Sequence, residues 1–183
     1  MSRSLVVRLG AACERYGPGR LPRAADPDVG AGYACATSAL LSCVVFAAAT
    51  TLVLFSDGGP VTGGVALAAL AAPLVVPSAF LAGYVSWRGL SGRFERTPRF
   101  GAAAGVVATA LTYPLSAVGF AAVAFVLDRR SGIEQPVLDA LVGTVAGSFA
   151  VAFVALVLTC WATFPLGASG GYVYERVRRE RTG

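Results

Sequence analysis

The chain contains no lysine, histidine or asparagine, and isoleucine occurs only once in its 183 residues. All fifteen basic residues are arginine, the bias that a very GC-rich coding sequence imposes, so the preference for arginine over lysine is not itself a functional signal. Without histidine, the chain lacks the side chain most often used for acid-base catalysis and the commonest metal ligand. Charged residues make up 14% of the chain and hydrophobic residues 56%, which excludes an ordinary soluble domain.

Redox chemistry and metal binding also lack the residue patterns that they require. The four cysteines, Cys13, Cys35, Cys43 and Cys160, form no C-x-x-C pair, so we expect inert thiols that pack as small hydrophobic groups. The acidic residues are scattered, whereas metal sites need clustered ligands. We therefore expect no metal, no cofactor and no catalytic residue. Several hydroxyls in the apolar segments are instead expected to form hydrogen bonds between helices: Ser38, Ser42, Thr50, Thr51, Thr109, Thr112 and Ser116.

Four long segments contain no charged residue, and charged residues flank each one: Gly30–Ser56, Gly58–Trp87, Phe100–Leu127 and Ala140–Tyr174. A helix needs about 20 apolar residues to cross about 30 Å of hydrocarbon, at about 1.5 Å per residue, and every segment is longer than that. The sequence therefore predicts an all-α integral membrane protein, a four-helix bundle. The spans are predicted at about Tyr33–Phe55, Thr62–Trp87, Phe100–Leu127 and Thr144–Tyr174.

The segments outside the spans are short. Residues 1–32 are predicted to form an N-terminal segment with an amphipathic helix at Ser4–Tyr16 and an irregular linker at Pro22–Gly32. Residues 33–174 form the membrane domain, and residues 175–183 an arginine-rich tail. The fourth uncharged segment has 35 residues, more than the hydrocarbon requires, so we expect a strongly tilted span preceded by an external helical lead-in at Gln135–Gly143.

Arginine is distributed unevenly between the two sides of the predicted membrane. Five arginines precede the first span, four lie between the second and third spans, and four follow the last, whereas the other two loops hold only Arg129 and Arg130. By the positive-inside rule, this asymmetry predicts a cell-membrane protein with both termini and the central loop in the cytoplasm. The basic segments lack interleaved aromatic residues, so no nucleic-acid partner is expected.

Prolines and aromatic residues mark special positions along the spans. Four prolines lie within spans and are predicted to kink them, because each removes a backbone hydrogen bond: Pro73, Pro77, Pro114 and Pro165. Aromatic and arginine side chains collect at the predicted cytoplasmic boundary, where they are expected to anchor the chain at the inner interface. These anchors are Tyr33, Tyr84, Trp87, Tyr172, Tyr174, Arg88 and Arg176.

The ends of the second and fourth spans resemble each other. Residues 77–88 and 165–176 are identical at five of twelve positions, with a constant offset of 88, and share the spacing of Pro, Gly-Tyr-Val and Arg. This match predicts two tandem two-span hairpins, parallel repeats related by an axis along the membrane normal. Pro77 and Pro165 would then lie at the same depth.

Small residues spaced by four allow two helix backbones to approach closely in a membrane. Three such pairs fall in the predicted inner half of the bilayer: Ala79 with Gly83, Gly101 with Gly105, and Gly167 with Gly171. A fourth pair, Gly143 with Gly147, falls in the outer half. We predict that spans two, three and four approach most closely in the inner half.

Several of these motifs occur in a fixed order: Ala82-Gly83-Tyr84, then an arginine-rich loop, Gly101 with Gly105, Pro114, and Gly170-Gly171-Tyr172-Val173. In this order the chain, over about Pro77 to Val173, resembles small uncharacterised four-span membrane proteins of GC-rich halophilic archaea, a family of unknown function. The chain departs from that pattern in its longer arginine-rich N-terminal segment and longer central loop. The resemblance implies a topology and no activity.

These observations favour a non-catalytic, multi-pass membrane component that packs with itself, as a homo-oligomer, or with a membrane-protein partner. Ion-coupled transport usually requires an ionisable residue within a span, and none is predicted there. The alternative is an oligomeric pore or passive transporter for a small neutral solute, shaped by the proline kinks.

Overall fold

The structure, a computed structural model, describes residues 21–56, 62–130 and 136–182. Within these ranges it contains four helices: α1 (Pro27–Ser56), α2 (Thr62–Ser91), α3 (Pro98–Arg130) and α4 (Val137–Thr182). Each helix is long and apolar enough to cross a membrane. The chain is therefore a multi-pass, all-α membrane protein of four candidate spans, as the uncharged segments predicted.

The starts of α1 and α3 follow the same local rule. Asp26 Oδ1 accepts a hydrogen bond from the backbone N–H of Asp28 at 2.9 Å, and Pro27 occupies the first helical position. In α3, Thr97 Oγ1 accepts from the N–H of Phe100 at 3.1 Å, and Pro98 is the first helical residue. A capping side chain followed by proline therefore begins both helices that start at this end of the molecule.

The helices pack in chain order around the bundle, and α4 closes the circle by packing on α1. Within the described residues, α1 and α3 barely touch and the backbones of α2 and α4 make no close approach, so α2 and α4 occupy opposite corners. One end of the bundle holds the start of α1, the end of α2, the start of α3 and the end of α4; we call it the arginine-rich end.

The most closely packed part of the described bundle lies toward the arginine-rich end. Its central cluster of buried residues comprises Ala31, Ala82, Trp87, Phe100, Ala104 and Ala108. Alanine predominates because a small side chain lets neighbouring backbones approach, and packing, not the hydrophobic effect, drives helix association in lipid.

Several helix boundaries lie outside the predicted spans. α1 begins at Pro27, inside the predicted linker, and α2 continues to Ser91, past Trp87. α4 is one helix of 46 residues, Val137–Thr182, so residues 137–143 of the predicted lead-in and 175–182 of the predicted arginine-rich tail belong to it. A charged residue indicates where the hydrocarbon ends, but the helix continues past it where the charged side chain has a hydrogen-bonding partner, as Asp28 and Glu175 do. The predicted helix at residues 4–16 lies outside the described residues.

The four prolines predicted to kink spans all lie inside helices: Pro73 and Pro77 in α2, Pro114 in α3 and Pro165 in α4. Each helix is assigned as continuous through its proline. At about 1.5 Å per residue, α4 is about 69 Å long, whereas a bilayer with its headgroups is about 40–45 Å thick. α4 therefore reaches beyond the membrane.

Candidate functional site

A buried carboxylate lies at the arginine-rich end of the bundle. Glu175, in the last part of α4, is fully buried, and so is Trp87 near the end of α2. The indole Nε1 of Trp87 donates a hydrogen bond to Glu175 Oε1 at 3.0 Å, and Arg178 Nε donates to Glu175 Oε2 at 3.0 Å. Each carboxylate oxygen thus has its own donor, which is the condition for keeping such a group inside a protein.

Two aromatic rings, one on α3 and one on α4, pack against the indole of Trp87. The Phe100 ring on α3 lies edge-on to Trp87 at 6.2 Å between centroids, and the Tyr174 ring on α4 does the same at 6.1 Å. Such edge-to-face pairs are the favoured geometry of aromatic contacts. The Tyr174 hydroxyl donates to the carbonyl of Pro27 at 2.8 Å, which joins the group to the first turn of α1. All four helices therefore meet at this point.

A second layer of polar contacts covers the arginine-rich end. Arg96, in the loop between α2 and α3, forms an ion pair with Asp28 on α1 at 2.8 Å. The carbonyl of Arg96 accepts a hydrogen bond from Arg179 Nε at 2.6 Å. Both side chains of the ion pair are mostly buried, so the loop is tied to α1 and to α4.

This arrangement of Trp87, Phe100, Tyr174, Glu175 and Arg178, which we call the Glu175 cluster, closes the bundle. The bond from Trp87 to Glu175 joins the two helices at opposite corners, which their backbones do not. The ion pair of Glu175 with Arg178 lies within α4, so the contact that relates two helices is the hydrogen bond from Trp87, whose loss would leave a buried carboxylate oxygen without a donor. Within the ranges that the structure describes, no group of three His, Cys, Asp or Glu residues could hold a metal ion.

Two of the small-residue pairs face each other across α3 and α4. A Cβ added at Gly101 would overlap the carbonyl oxygen of Gly171, and one added at Gly105 would overlap that of Gly167. Only glycine permits this approach, which also places Gly101 beside the Glu175 side chain.

The remaining inner pair packs elsewhere. Gly83 lies against Cys35 and the carbonyl of Ala31, both on α1. It therefore brings α2 close to α1 and not to α3 or α4. Ala79 is buried on the same helix. The prediction that spans two, three and four approach one another most closely in the inner half is therefore wrong. In the described bundle there are two separate close approaches, one between α1 and α2 and one between α3 and α4.

The outer pair has no neighbour. No atom lies within 4 Å of a Cβ added at Gly143 or at Gly147, and both glycines are on the exposed surface of α4. Ala146 and Ala150 are exposed on the same helix, so small residues recur here at the spacing of one helix face.

The predicted interface anchors divide into two groups. Trp87 is inside the bundle, and the hydroxyl of the half-buried Tyr174 is bonded to α1, so neither ring is free to lie among headgroups. Tyr172 is exposed, and Arg176 pairs with Glu180. Tyr84 accepts a hydrogen bond from Arg88 at 3.1 Å. Tyr33 donates to the carbonyl of Pro22 at 3.3 Å.

The hydroxyls expected to link helices mostly bond within their own helix. Ser38, Ser42, Thr50, Thr109 and Thr112 each donate to the carbonyl four residues earlier. Thr51 and Ser116 have buried hydroxyl oxygens with no hydrogen-bond partner. A helical serine or threonine can satisfy itself locally, so its presence in a span does not predict a contact between helices.

Contacts between hydroxyl groups of two different helices involve Tyr113 instead. Its hydroxyl lies 2.7 Å from Thr159 Oγ1 and 2.9 Å from Thr163 Oγ1, across the boundary between α3 and α4. Tyrosine is long enough to reach a neighbouring helix, and two threonines four apart present both hydroxyls on one face.

Glu175 is the functional candidate that sequence reasoning missed. It follows the last uncharged segment, so the charge pattern assigned it to a cytoplasmic tail. A usable signal was present: Glu175 and Trp87 occupy the same position in the two similar segments, 88 residues apart. The described cysteines, Cys35, Cys43 and Cys160, are free.

Comparisons of this chain with protein-family models, with curated proteins and with solved structures give no match. Any statement about its function therefore depends on the geometry given above.

Proposed function

We propose that the protein is a non-catalytic component of the cell membrane that packs against a second copy of itself, or against another membrane protein, through the outer part of α4. Both termini lie in the cytoplasm, as the arginine distribution favours. In this proposal the chain holds no cofactor and performs no reaction of its own.

The observation that carries the proposal is the open surface at Gly143 and Gly147. The inner glycines on α3 and α4 contact a neighbouring backbone within the bundle, whereas these two contact nothing. Glycines in a membrane helix allow another helix to approach closely, and together with Ala146 and Ala150 they form a shallow groove of that kind. A helix from a second chain is the occupant of matching shape.

The test uses the absence of neighbours at these glycines. Leucine at Gly143 and Gly147 should leave the folded monomer unchanged, because the added atoms enter open space. Energy transfer between donor-labelled and acceptor-labelled copies in lipid vesicles should fall to the level of an unrelated monomeric protein. Gly89→Leu is the matched control, since Gly89 is also exposed with nothing within 4 Å and lies on α2.

Two results would overturn self-association. One is an absence of energy transfer in the unmodified protein, and the other is equal transfer in the double variant and in the Gly89→Leu control. A membrane protein that copurifies in fixed stoichiometry, and is lost only from the double variant, would assign the same surface to a different partner.

The Glu175 cluster also supports the proposal of two tandem hairpins. Trp87 and Glu175 are equivalent positions of the two similar segments and are hydrogen-bonded across opposite corners of the bundle. Equivalent residues face each other in this way when they lie close to a two-fold axis along the membrane normal. Chains divided between Ser91 and Pro98 and produced together should reassemble into one complex. Failure to reassemble would count against independent hairpins.

A pore for a small neutral solute is the second candidate, and the contact of Tyr113 with Thr159 and Thr163 favours it. Hydroxyls within an apolar bundle offer hydrogen bonds to an uncharged polar solute. Vesicles that contain only this chain should then swell in a gradient of glycerol or urea, and Tyr113→Phe should slow the swelling. Vesicles as tight as protein-free ones would exclude the pore.

A further inference from the structure

The loop that joins α2 to α3, residues 92–97, is held in one conformation at the arginine-rich end. The backbone N–H groups of Arg93 and Phe94 both donate to the carbonyl of Leu90, at 3.0 and 3.2 Å. The N–H of Thr97 donates to the carbonyl of Glu95 at 2.8 Å, and Thr97 caps α3. With Arg96 tied to α1 and α4 as well, the loop has few ways to move.

This fixed loop presents both apolar surface and positive charge. The apolar ring of Phe94, which follows Arg93 and precedes Glu95 in the sequence, is 61% exposed. Arg93 and, on the first turn of α3, Arg99 are exposed, and their side chains make no hydrogen bond or ion pair with the part of the chain that the structure describes. Glu95 is the acidic residue of the loop and is also exposed.

Three other arginines near the loop already have acidic partners. Arg96 is paired with Asp28, Arg178 with Glu175, and Arg176 with Glu180. Arg88 is exposed and bonded to the Tyr84 hydroxyl rather than to a carboxylate. On the loop and the first turn of α3, the positive charge that remains for an external partner therefore lies on Arg93, next to Phe94 in the sequence, and on Arg99, with Glu95 as the exposed acid between them.

The position of these residues determines which partner can reach them. The apolar parts of α2 and α3 end at this loop, and the neighbouring surface of α2 exposes Leu81 and Val85. A group bound between Arg93 and Arg99 lies at the level where lipid headgroups meet the hydrocarbon. Guanidinium groups bind phosphate through paired hydrogen bonds, and an aromatic ring is favoured at the same depth.

We propose that Arg93, Phe94 and Arg99 form a binding site for the headgroup of an anionic phospholipid. The two guanidinium groups contact the phosphate, and the Phe94 ring lies against the upper part of an acyl chain. The selectivity for anionic over zwitterionic lipid arises because a zwitterionic headgroup adds a cation beside two arginines that lack an acidic partner.

The test measures lipid binding to the full chain in detergent micelles. Short-chain phosphatidylglycerol, phosphatidylcholine or inorganic phosphate is added, and bound lipid is counted by native mass spectrometry. The combined variant Arg93→Gln with Arg99→Gln should weaken phosphatidylglycerol binding about thirtyfold, from the usual contribution of two basic residues near an anionic surface. Phosphatidylcholine binding should not change. Both positions are exposed, so the unfolding temperature without lipid should stay the same.

Two further variants sharpen the result. Arg130→Gln removes an exposed arginine from the opposite end and should leave phosphatidylglycerol binding intact. Phe94→Ser should weaken both lipids by a similar factor, since the ring contacts the chain and not the headgroup. Equal binding of the two lipids, equal losses in the Arg130→Gln and the combined variants, or phosphate competing as well as phosphatidylglycerol, would each overturn the proposal.

Discussion

Removal of the Glu175 carboxylate is the perturbation that tests most directly what holds the arginine-rich end together. Glu175→Ala deletes the acceptor of the Trp87 indole and of Arg178 Nε in a fully buried site. Leaving the buried indole N–H of Trp87 without an acceptor costs about 1–3 kcal/mol, and loss of the pair with the partly exposed Arg178 adds about 1 kcal/mol, so the total is about 2–4 kcal/mol. The free energy of unfolding should fall by this amount.

Glu175→Gln separates the charge from the hydrogen bond. Glutamine keeps an amide oxygen that can accept from Trp87 Nε1, but its NH2 group replaces Oε2 and cannot accept from Arg178 Nε. The bond from Trp87 becomes a neutral one and the pair with the partly exposed Arg178 is lost, so the free energy of unfolding should fall by about 1–2 kcal/mol. Combining Glu175→Gln with Trp87→Phe in a double-mutant cycle should give a coupling energy of about 1 kcal/mol between the two side chains.

Reversible unfolding in mixed micelles, by titration with sodium dodecyl sulfate, measures these free energies. Glu180→Ala is the control, because Glu180 is an exposed partner of Arg176 on the same helix and should cost no more than about 1 kcal/mol. If Glu175→Ala proves no more costly than Glu180→Ala, or if the cycle gives no coupling, the Glu175 cluster does not hold the bundle together.

Three further predictions concern packing, hydroxyls and orientation. Gly105→Leu should lower the free energy of unfolding by about 3 kcal/mol, since any side chain there meets the backbone of α4. Gly119→Leu should cost less, because Gly119 faces only the flexible end of a leucine, and equal losses in an unfolding titration would contradict the close approach of α3 and α4 at Gly105. Tyr113→Phe should cost about 1 kcal/mol in the same titration, because both threonines keep hydrogen bonds to their own helix; a loss above about 3 kcal/mol would refute this account. With the native cysteines replaced, Ser91→Cys should be labelled by an impermeant reagent only after lysis, and Ser131→Cys in intact cells; labelling of Ser91→Cys in intact cells would reverse the topology.

The fold was predictable because membrane helices must satisfy their backbone internally and must be apolar along their length. The four uncharged segments therefore located α1 to α4 without any knowledge of packing. The ends of the helices were less predictable. Asp28 and Glu175 remain within helices because Arg96, Arg178 and the indole of Trp87 satisfy them. Arg96 and Trp87 lie 68 and 88 residues from their acidic partners, so the sequence alone does not pair them.

The candidate site was less accessible to sequence reasoning than the fold. The pairs on α3 and α4 could be recognised from their spacing, but spacing does not say which neighbour a glycine contacts, and Gly83 packs on α1. Trp87 has the composition and position of an interface anchor, yet its ring is buried. Whether an aromatic residue faces lipid or the bundle depends on how the helix is rotated, and four helices with apolar surfaces all round give little signal for that rotation.

The contacts that close the arginine-rich end have a consequence for the order of events during synthesis. The bond from Trp87 to Glu175 and both glycine contacts between α3 and α4 depend on the part of α4 from Gly167 onward. That part leaves the ribosome after α1 to α3, so the first three helices enter the membrane with the buried face of Trp87 and the backbone at Gly101 and Gly105 still uncovered. Completion of the bundle is therefore a late, single step, and an insertion factor that shields these surfaces would act on α1 to α3 until α4 arrives.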